Sequence, residues 1–178
     1  MKIVVEGPDG GGKTGFITRL MVRYPKLELM PRACTSEDGP IDELAEWVQT
    51  DSYSDRRGFY VYDRHPLVSE LIYAPACNRP LSNQFDNAIW LRSQLLKFKS
   101  AVNLVIYCLP SLTTVVENAQ ANHGHTDHQV RLLTNILGIY QLYYLHTVYD
   151  NPRAVIWNYE TDNFDGFCNK YLDYSMKD

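Results

Sequence analysis

Residues 7–14 read Gly-Pro-Asp-Gly-Gly-Gly-Lys-Thr, which matches the spacing Gly-x-x-x-x-Gly-Lys-[Ser/Thr]. The apolar run 3–5 lies before this stretch, and the residues from 14 to 23 have helical spacing. A strand that enters a glycine-rich turn and then a helix N-terminus directs backbone N–H groups at phosphate oxygens. The sequence therefore predicts a phosphate-binding loop. The glycines that let its backbone approach an anion are Gly7, Gly10, Gly11 and Gly12.

The last two residues of the loop predict the cofactors. In loops of this kind the lysine ammonium reaches the β- and γ-phosphates, and the hydroxyl of the next residue holds Mg²⁺. We therefore expect Lys13 and Thr14 to bind ATP and Mg²⁺. The alternative is a chance match in a glycine-rich turn. It is disfavoured because the strand, the loop and the helix follow one another in the required order.

Apolar runs and helical patterns alternate along the rest of the chain. Further strands are predicted at 58–62, 103–108 and 154–157, with a weaker candidate at 27–30. Helical spacing is found at about 41–49, 66–74, 83–99, 111–120 and 127–149. This order predicts an α/β fold, a doubly wound parallel sheet of about five strands, within one domain that covers residues 1–178.

Composition narrows the class of protein. The formal net charge of −4 argues against a nucleic-acid scaffold, which would normally carry a basic surface. There is no apolar run near 18 residues, so we expect no membrane association, and without a signal peptide we expect a cytoplasmic protein. Four scattered cysteines without a Cys-x-x-Cys pair predict reduced thiols.

The second informative stretch is Tyr60-Val-Tyr-Asp-Arg-His-Pro66, an apolar strand that ends in Asp63 and Arg64. In open α/β sheets, ligands bind beyond the carboxyl ends of the strands, which places Asp63 beside the phosphate loop. Its carboxylate could hold Mg²⁺ or accept a proton, and Arg64 could bridge two phosphates. The structural alternative is a helix-capping Asp63 with Arg64 on the surface.

These residues resemble a known family. Residues 6–14 are similar to the opening E-G-x-D-G-x-G-K-[ST] of thymidylate kinases, Asp63-Arg64 to their D-R motif, and Pro31-Arg32 to their P-R element. The segment 63–73 also resembles herpesvirus-type thymidine kinases, which carry D-R-H-P and a tyrosine at the same offset. Both belong to the superfamily of P-loop deoxynucleoside and deoxynucleotide kinases. A compact member of this kind would suit a bacteriophage.

The resemblance implies roles on the acceptor side. Asp9 would accept a hydrogen bond from the 3′-hydroxyl of the sugar, because a carboxylate in a phosphate loop is costly unless a ligand group donates to it. Arg32 and Arg64 would contact the acceptor phosphate. Tyr73 would stack on the acceptor base, although packing in the core is an equal alternative.

The sequence departs from the thymidylate kinase pattern in the lid-like segment 118–128, which contains neither arginine nor lysine. Arg131 and Arg92 are the candidates for the missing cation. Three histidines and Asp127 in this segment could bind a metal, but we favour a polar loop. The histidines are His123, His125 and His128.

Taken together, these patterns predict an ATP- and Mg²⁺-dependent kinase that acts on a small nucleotide, a deoxynucleoside monophosphate of the dTMP type. One alternative is a deoxynucleoside kinase, in which Glu37 or Asp38 would act as the base. Others are a nucleotide-dependent switch and a kinase of modified bases in DNA, although the charge makes nucleic acid an improbable partner. A homodimer is left open.

Overall fold

The computed structural model describes residues 1–35, 39–40, 58–81, 87–102, 104–122, 135–145 and 153–176. The strands are β1 (Lys2–Glu6), β2 (Leu27–Leu29), β3 (Cys34–Thr35), β4 (Gly39–Pro40), β5 (Phe59–Asp63), β6 (Leu104–Cys108) and β7 (Ala154–Trp157). The helices are α1 (Lys13–Arg23), α2 (Pro66–Ala76), α3 (Ala88–Ala101), α4 (Leu112–Asn122), α5, described over 135–145, and α6 (Phe164–Tyr171).

Five of the strands form one parallel sheet in the order β2-β5-β1-β6-β7. Strand β1 is central, so that Val4 pairs with Tyr62 of β5 on one side and with Val105 of β6 on the other. The short strands β3 and β4 pair antiparallel apart from this sheet. The prediction of a doubly wound sheet of about five parallel strands is confirmed.

Helices cover both faces of the sheet, which explains why the strands are continuous apolar runs. Ile3 and Val5 point to one face, where Phe16 of α1 lies 5.1 Å from Trp157 and 5.7 Å from Phe167 between ring centroids. Val4 points to the other face, where it joins a core formed by α2, α3 and α5. Because β1 and β5 are parallel neighbours between these two layers, their carboxyl ends lie at the same edge of the sheet.

The predicted helices that fall on described residues agree with the structure apart from their ends, whereas α6 was not predicted. The helix predicted at 83–99 begins at Ala88, because the side chain of Asn87 caps it by accepting from the N–H groups of Ile89 and Trp90. The pattern at 127–149 is described as helix over 135–145, and the pattern at 41–49 lies outside the described residues. All four cysteines are free, as predicted. No described helix combines the length and the apolar character needed to cross a membrane.

Candidate active site

The phosphate loop lies at the carboxyl end of β1 and packs against β6. Gly7 has a φ of 141°, and a Cβ there would lie 2.5 Å from the carbonyl oxygen of Cys108. No side chain fits at that distance. The glycine is therefore required by the contact between the loop and the neighbouring strand, in addition to any approach of a phosphate.

Lys13, the first residue of α1, folds back over the loop. Its side chain is buried, and Nζ donates to the carbonyl oxygens of Gly7 at 3.0 Å and Pro8 at 2.8 Å. Burial, followed by repulsion from Arg64, lowers the pKa of Lys13 from 10.5 to about 8. The ammonium group is thus held above the loop by weak acceptors, and a phosphate anion would stabilise its charge more strongly.

A cavity of about 490 Å³ opens beside the loop at the ends of β1 and β5. It brings together four segments that are distant in sequence: the phosphate loop with the start of α1, Arg32 beyond the end of β2, the last residue of β5, and Asn118 of α4. The lining residues are Asp9, Gly10, Gly12, Lys13, Thr14, Gly15, Arg32, Asp63 and Asn118. The prediction that Asp63 lies beside the phosphate loop is therefore supported by the cavity.

The polar atoms of this cavity fit a magnesium ion held together with phosphates. Oδ1 of Asp63 is buried and has no hydrogen-bond partner among the described residues, and Thr14 is exposed at the start of α1. Mg²⁺ in such sites typically takes one or two protein ligands and completes its shell with water and phosphate oxygens. Within the described residues no cluster of three or more His, Cys, Asp or Glu side chains could form a full protein cage.

Arg64 is buried beneath the cavity and does not line it. Its Nη2 forms an ion pair with Oδ1 of Asp9 at 2.8 Å, and its Nη1 donates to the hydroxyl of Tyr143 at 3.2 Å. The guanidinium carbon lies 4.7 Å from the ring centroid of Tyr73. The backbone of Arg64 has a φ of 71°, which is costly for a non-glycine residue and requires support from its surroundings. The alternative of a surface Arg64 is wrong.

Behind Arg64, a buried carboxylate ties β1 to α2 and α5. Glu6 accepts from the N–H of His65 at 2.6 Å, from Ser69 Oγ at 2.9 Å and from the hydroxyl of Tyr143 at 2.9 Å. Burial raises the pKa of Glu6, while Arg64 and the three donors oppose that shift. Sequence reasoning missed Tyr143, because nothing local links it to Arg64, 79 positions earlier. Glu6 could have been identified from the sequence, because an acidic residue at the end of a buried strand needs hydrogen-bonding or charged partners.

The acceptor-side argument for Asp9 needs correction. We expected its carboxylate to require a donor from the ligand, but Arg64 and the hydroxyl of Tyr73, at 3.3 Å from Oδ2, already donate to it. The structure supplies an internal cation that the sequence did not reveal. Tyr73 itself is 1% exposed and is absent from the cavity lining, so its surroundings are those of a core side chain.

Among the remaining candidates, Arg32 lines the cavity, Arg92 does not, and the others lie outside the described residues. Arg32 is exposed, lines the cavity and donates from Nε to the carbonyl of Cys34 at 3.2 Å. Arg92 is exposed on α3 and is not a lining residue. Of the lid-like segment, 118–122 is the end of α4 and Asn118 lines the cavity. The candidates outside the described residues are Glu37, Asp38, His123, His125, Asp127, His128 and Arg131.

The fold has counterparts among solved structures. No family model and no curated protein matches this sequence. The structure of YorR protein from Bacillus subtilis in complex with phosphorylated GDP is 17% identical, with a TM-score of 0.65, over 98% of this chain and 95% of that one. Deoxyadenosine kinase from M. mycoides with bound dCTP is 17% identical, with a TM-score of 0.63, over 96% and 98% of the two chains. The chain has the P-loop kinase fold.

A second structure of the M. mycoides deoxyadenosine kinase, with the product dCMP and dCDP, gives a TM-score of 0.57 at 15% identity, over 98% of this chain and 100% of that one. At such low identities the likeness concerns the fold alone. Substrate and mechanism have to be argued from the residues of this cavity.

Proposed function

We propose that this protein is an ATP- and Mg²⁺-dependent kinase that transfers the γ-phosphoryl group to a deoxynucleoside monophosphate. The observation that carries the proposal is the cavity in which the phosphate loop, Asp63 and Arg32 meet. The loop provides backbone N–H groups for a nucleoside triphosphate. Asp63 provides a carboxylate oxygen that has no hydrogen-bond partner among the described residues, and Arg32 provides an exposed cation.

Each side chain has a distinct task in this scheme. Lys13 exchanges the carbonyls of Gly7 and Pro8 for phosphate oxygens, which keeps its ammonium group charged. Thr14 and Asp63 would hold Mg²⁺, which neutralises the charge on the β- and γ-phosphates when bound. Arg32 orients the acceptor phosphate. The catalytic gain comes from positioning and charge stabilisation, without a covalent enzyme intermediate.

The proposed transfer needs little acid–base chemistry. An ionised oxygen of the acceptor monophosphate attacks the γ-phosphorus, the bond to the β-phosphate oxygen breaks, and ADP leaves with the bonding electron pair. Because the attacking oxygen carries no proton at neutral pH, no general base has to be supplied. Arg32 offsets the negative charge that would otherwise keep the two phosphates apart.

A deoxynucleoside kinase is the second candidate, and the state of Asp9 favours it. With Arg64 and Tyr73 already bound to Asp9, this carboxylate no longer argues for a nucleotide acceptor. A hydroxyl acceptor would lose its proton on transfer, and the carboxylate of Asp63, which lines the cavity, would accept that proton as the base. The fold shared with deoxyadenosine kinase agrees with this candidate.

The deciding assay measures phosphoryl transfer from ATP in the presence of Mg²⁺ to paired acceptors, namely a nucleoside and its 5′-monophosphate for each base. We expect kcat/KM to be at least about tenfold higher for one monophosphate than for its nucleoside, because Arg32 contributes a charge-assisted hydrogen bond only to the phosphate. Preference for the nucleoside would establish the second candidate. Hydrolysis of ATP without any phosphorylated acceptor would indicate a nucleotide-dependent switch, and product formation only on DNA would indicate a base kinase.

Arg32→Ala sharpens the same assay. If Arg32 binds the acceptor phosphate, the variant raises KM for the monophosphate and leaves the weak activity on the nucleoside unchanged. Arg92→Ala is the matched control, because Arg92 is an exposed arginine outside the cavity lining. The small-molecule acceptor is part of this proposal, whereas a homodimer and a cytoplasmic location stay predictions from the sequence.

A further inference from the structure

The phosphate loop is held from outside by helix α4. Gly10 has a φ of 82°, and a Cβ on it would lie 2.5 Å from the carbonyl oxygen of Val115 and 3.0 Å from the nitrogen of Ala119. The loop backbone therefore rests directly on the backbone of the helix. This contact, in addition to phosphate binding, explains why residue 10 has to be glycine.

One side chain fastens this contact. Nδ2 of Asn118 donates to the carbonyl oxygen of Gly10 at 3.0 Å and to the hydroxyl of Tyr159 at 2.7 Å. Both N–H bonds of the amide are thus used, one toward the loop and one toward the turn that follows β7. Asn118 is half-buried and lines the cavity, so it joins three segments at the place where nucleotide phosphates would bind.

Tyr159 holds the other end of the loop. A Cβ on Gly12, whose φ is also 82°, would lie 2.8 Å from Cε1 of the Tyr159 ring. The turn that carries Tyr159 is itself fixed to the start of α4, because Glu160 accepts from the hydroxyl of Thr114 at 2.6 Å and from Ser111. The ring therefore has a fixed position against the loop.

We propose that Asn118 is a positioning residue that holds the phosphate loop in its anion-binding conformation before nucleotide arrives. Ordering two glycines with positive φ costs conformational entropy. A loop that is disordered before binding would lose that entropy when the ligand binds. The bond of Asn118 to Gly10, and the ring of Tyr159 that Asn118 holds against Gly12, fix these glycines during folding, so that binding begins from an ordered loop. The effect on nucleotide affinity rests on the proposed function, whereas the effect on the order of the free loop does not.

The first test measures the loop in the free protein. In Asn118→Ala, hydrogen–deuterium exchange of peptides covering residues 7–14 and 158–162 should be at least about threefold faster than in the wild type, because their anchoring bond is lost. Exchange in β6 should not change. Gln120→Ala is the matched control, since Gln120 is exposed on the same helix and absent from the cavity lining. Unchanged exchange of 7–14 in a folded Asn118→Ala protein would overturn the proposal.

The second test measures ligands. We expect Asn118→Ala to weaken ATP binding by about fivefold to tenfold, an effect of the size of one hydrogen bond, while KM for the acceptor stays within about twofold of the wild type. A residue needed only for stability would alter both constants or neither. If Asn118→Ala does not fold, Tyr159→Phe takes its place, because it removes one bond and keeps the ring on Gly12. No change in loop exchange with Tyr159→Phe would then count against the proposal.

The two tests separate this inference from the proposed function. If the loop exchanges faster in Asn118→Ala but the wild-type protein does not bind ATP, the role of Asn118 is supported and the kinase is rejected. Normal phosphoryl transfer with unchanged exchange and ATP affinity in Asn118→Ala would support the kinase and reject the role of Asn118.

Discussion

At the donor end of the cavity the cation of Lys13 is held by bonds within the phosphate loop, whereas Arg64, buried beneath the cavity, is held by bonds across the fold. Lys13 donates to Gly7 and Pro8, six and five positions away. Arg64 is paired with Asp9 across 55 positions and with Tyr143 across 79. Lys13 also lines the cavity, while Arg64 lies beneath it. A change at the donor end should therefore affect chemistry alone, and a change in the buried pair of Arg64 and Asp9 should affect stability as well.

Lys13→Ala should give the largest effect and should confine it to catalysis. Loss of the ammonium group removes charge stabilisation in the transition state, so we expect kcat to fall by about 10²-fold or more. The melting temperature should change little, because the lost bonds join only neighbouring loop carbonyls. Steady-state kinetics and a thermal scan check both statements. Lys97→Ala, an exposed lysine on α3, is the control. Normal turnover of a folded Lys13→Ala protein would remove the loop from the mechanism.

Asp63→Asn tests a residue that lines the cavity together with Lys13 and directly precedes Arg64 in the chain. The amide keeps the shape of the carboxylate but weakens its hold on Mg²⁺ through water, so activity at limiting Mg²⁺ should fall by about 10- to 100-fold. A titration of activity against Mg²⁺ should show a higher half-saturating concentration for the variant. Glu28→Gln, an exposed carboxylate on β2, is the control. Identical Mg²⁺ curves for Asp63→Asn and the wild type would give Asp63 a structural role only.

The same contrast explains which parts of the molecule the sequence could predict. The sheet and the phosphate loop follow from local patterns, namely apolar runs of strand length and glycines at fixed spacing. The place of Asp63 followed from the rule that strand ends share an edge. These features need no knowledge of contacts between distant residues.

The surroundings of Asp9, Arg64 and Tyr73 could not be predicted in this way. Their arrangement depends on α5, which brings Tyr143 between Glu6 and Arg64. Because the sequence does not show that contact, it led us to predict that Arg64 binds phosphates and that Asp9 needs a hydrogen-bond donor from the ligand. Charged residues that pair across a fold carry no periodicity, so their partners are found only in three dimensions.

Asp9→Asn tests the buried pair of Arg64 and Asp9, where stability should change. The neutral amide leaves the buried guanidinium of Arg64 without its carboxylate, so we expect a loss of about 1.5–3 kcal/mol in the free energy of unfolding. Asp165→Asn is the matched control: its carboxylate also pairs with an arginine, Arg23, but is 72% exposed. There the loss should stay below about 1 kcal/mol. Urea unfolding of both variants provides the comparison, and equal losses would show that the Asp9 pair does not stabilise the fold.

The smallest expected effect is a pH dependence that belongs to the donor end alone. The pKa of Lys13 is lowered to about 8 in the free protein, and a bound phosphate raises it again because it favours the charged form. Below pH 8 the ammonium group is already charged, so affinity for ATP should be nearly constant there. As pH rises through 8, binding has to take up a proton, and affinity should fall by about tenfold between pH 7 and pH 9.

Lys13→Arg isolates this effect, because a guanidinium stays charged throughout that range. Its ATP affinity can be lower than that of the wild type, but it should be flat between pH 7 and pH 9. Calorimetry in buffers of different ionisation enthalpy should also detect proton uptake by the wild type at pH 8.5 and none by the variant. If ATP affinity depends on pH in the same way for both proteins, another group titrates in this range. The explanation by the lowered pKa of Lys13 would then be wrong.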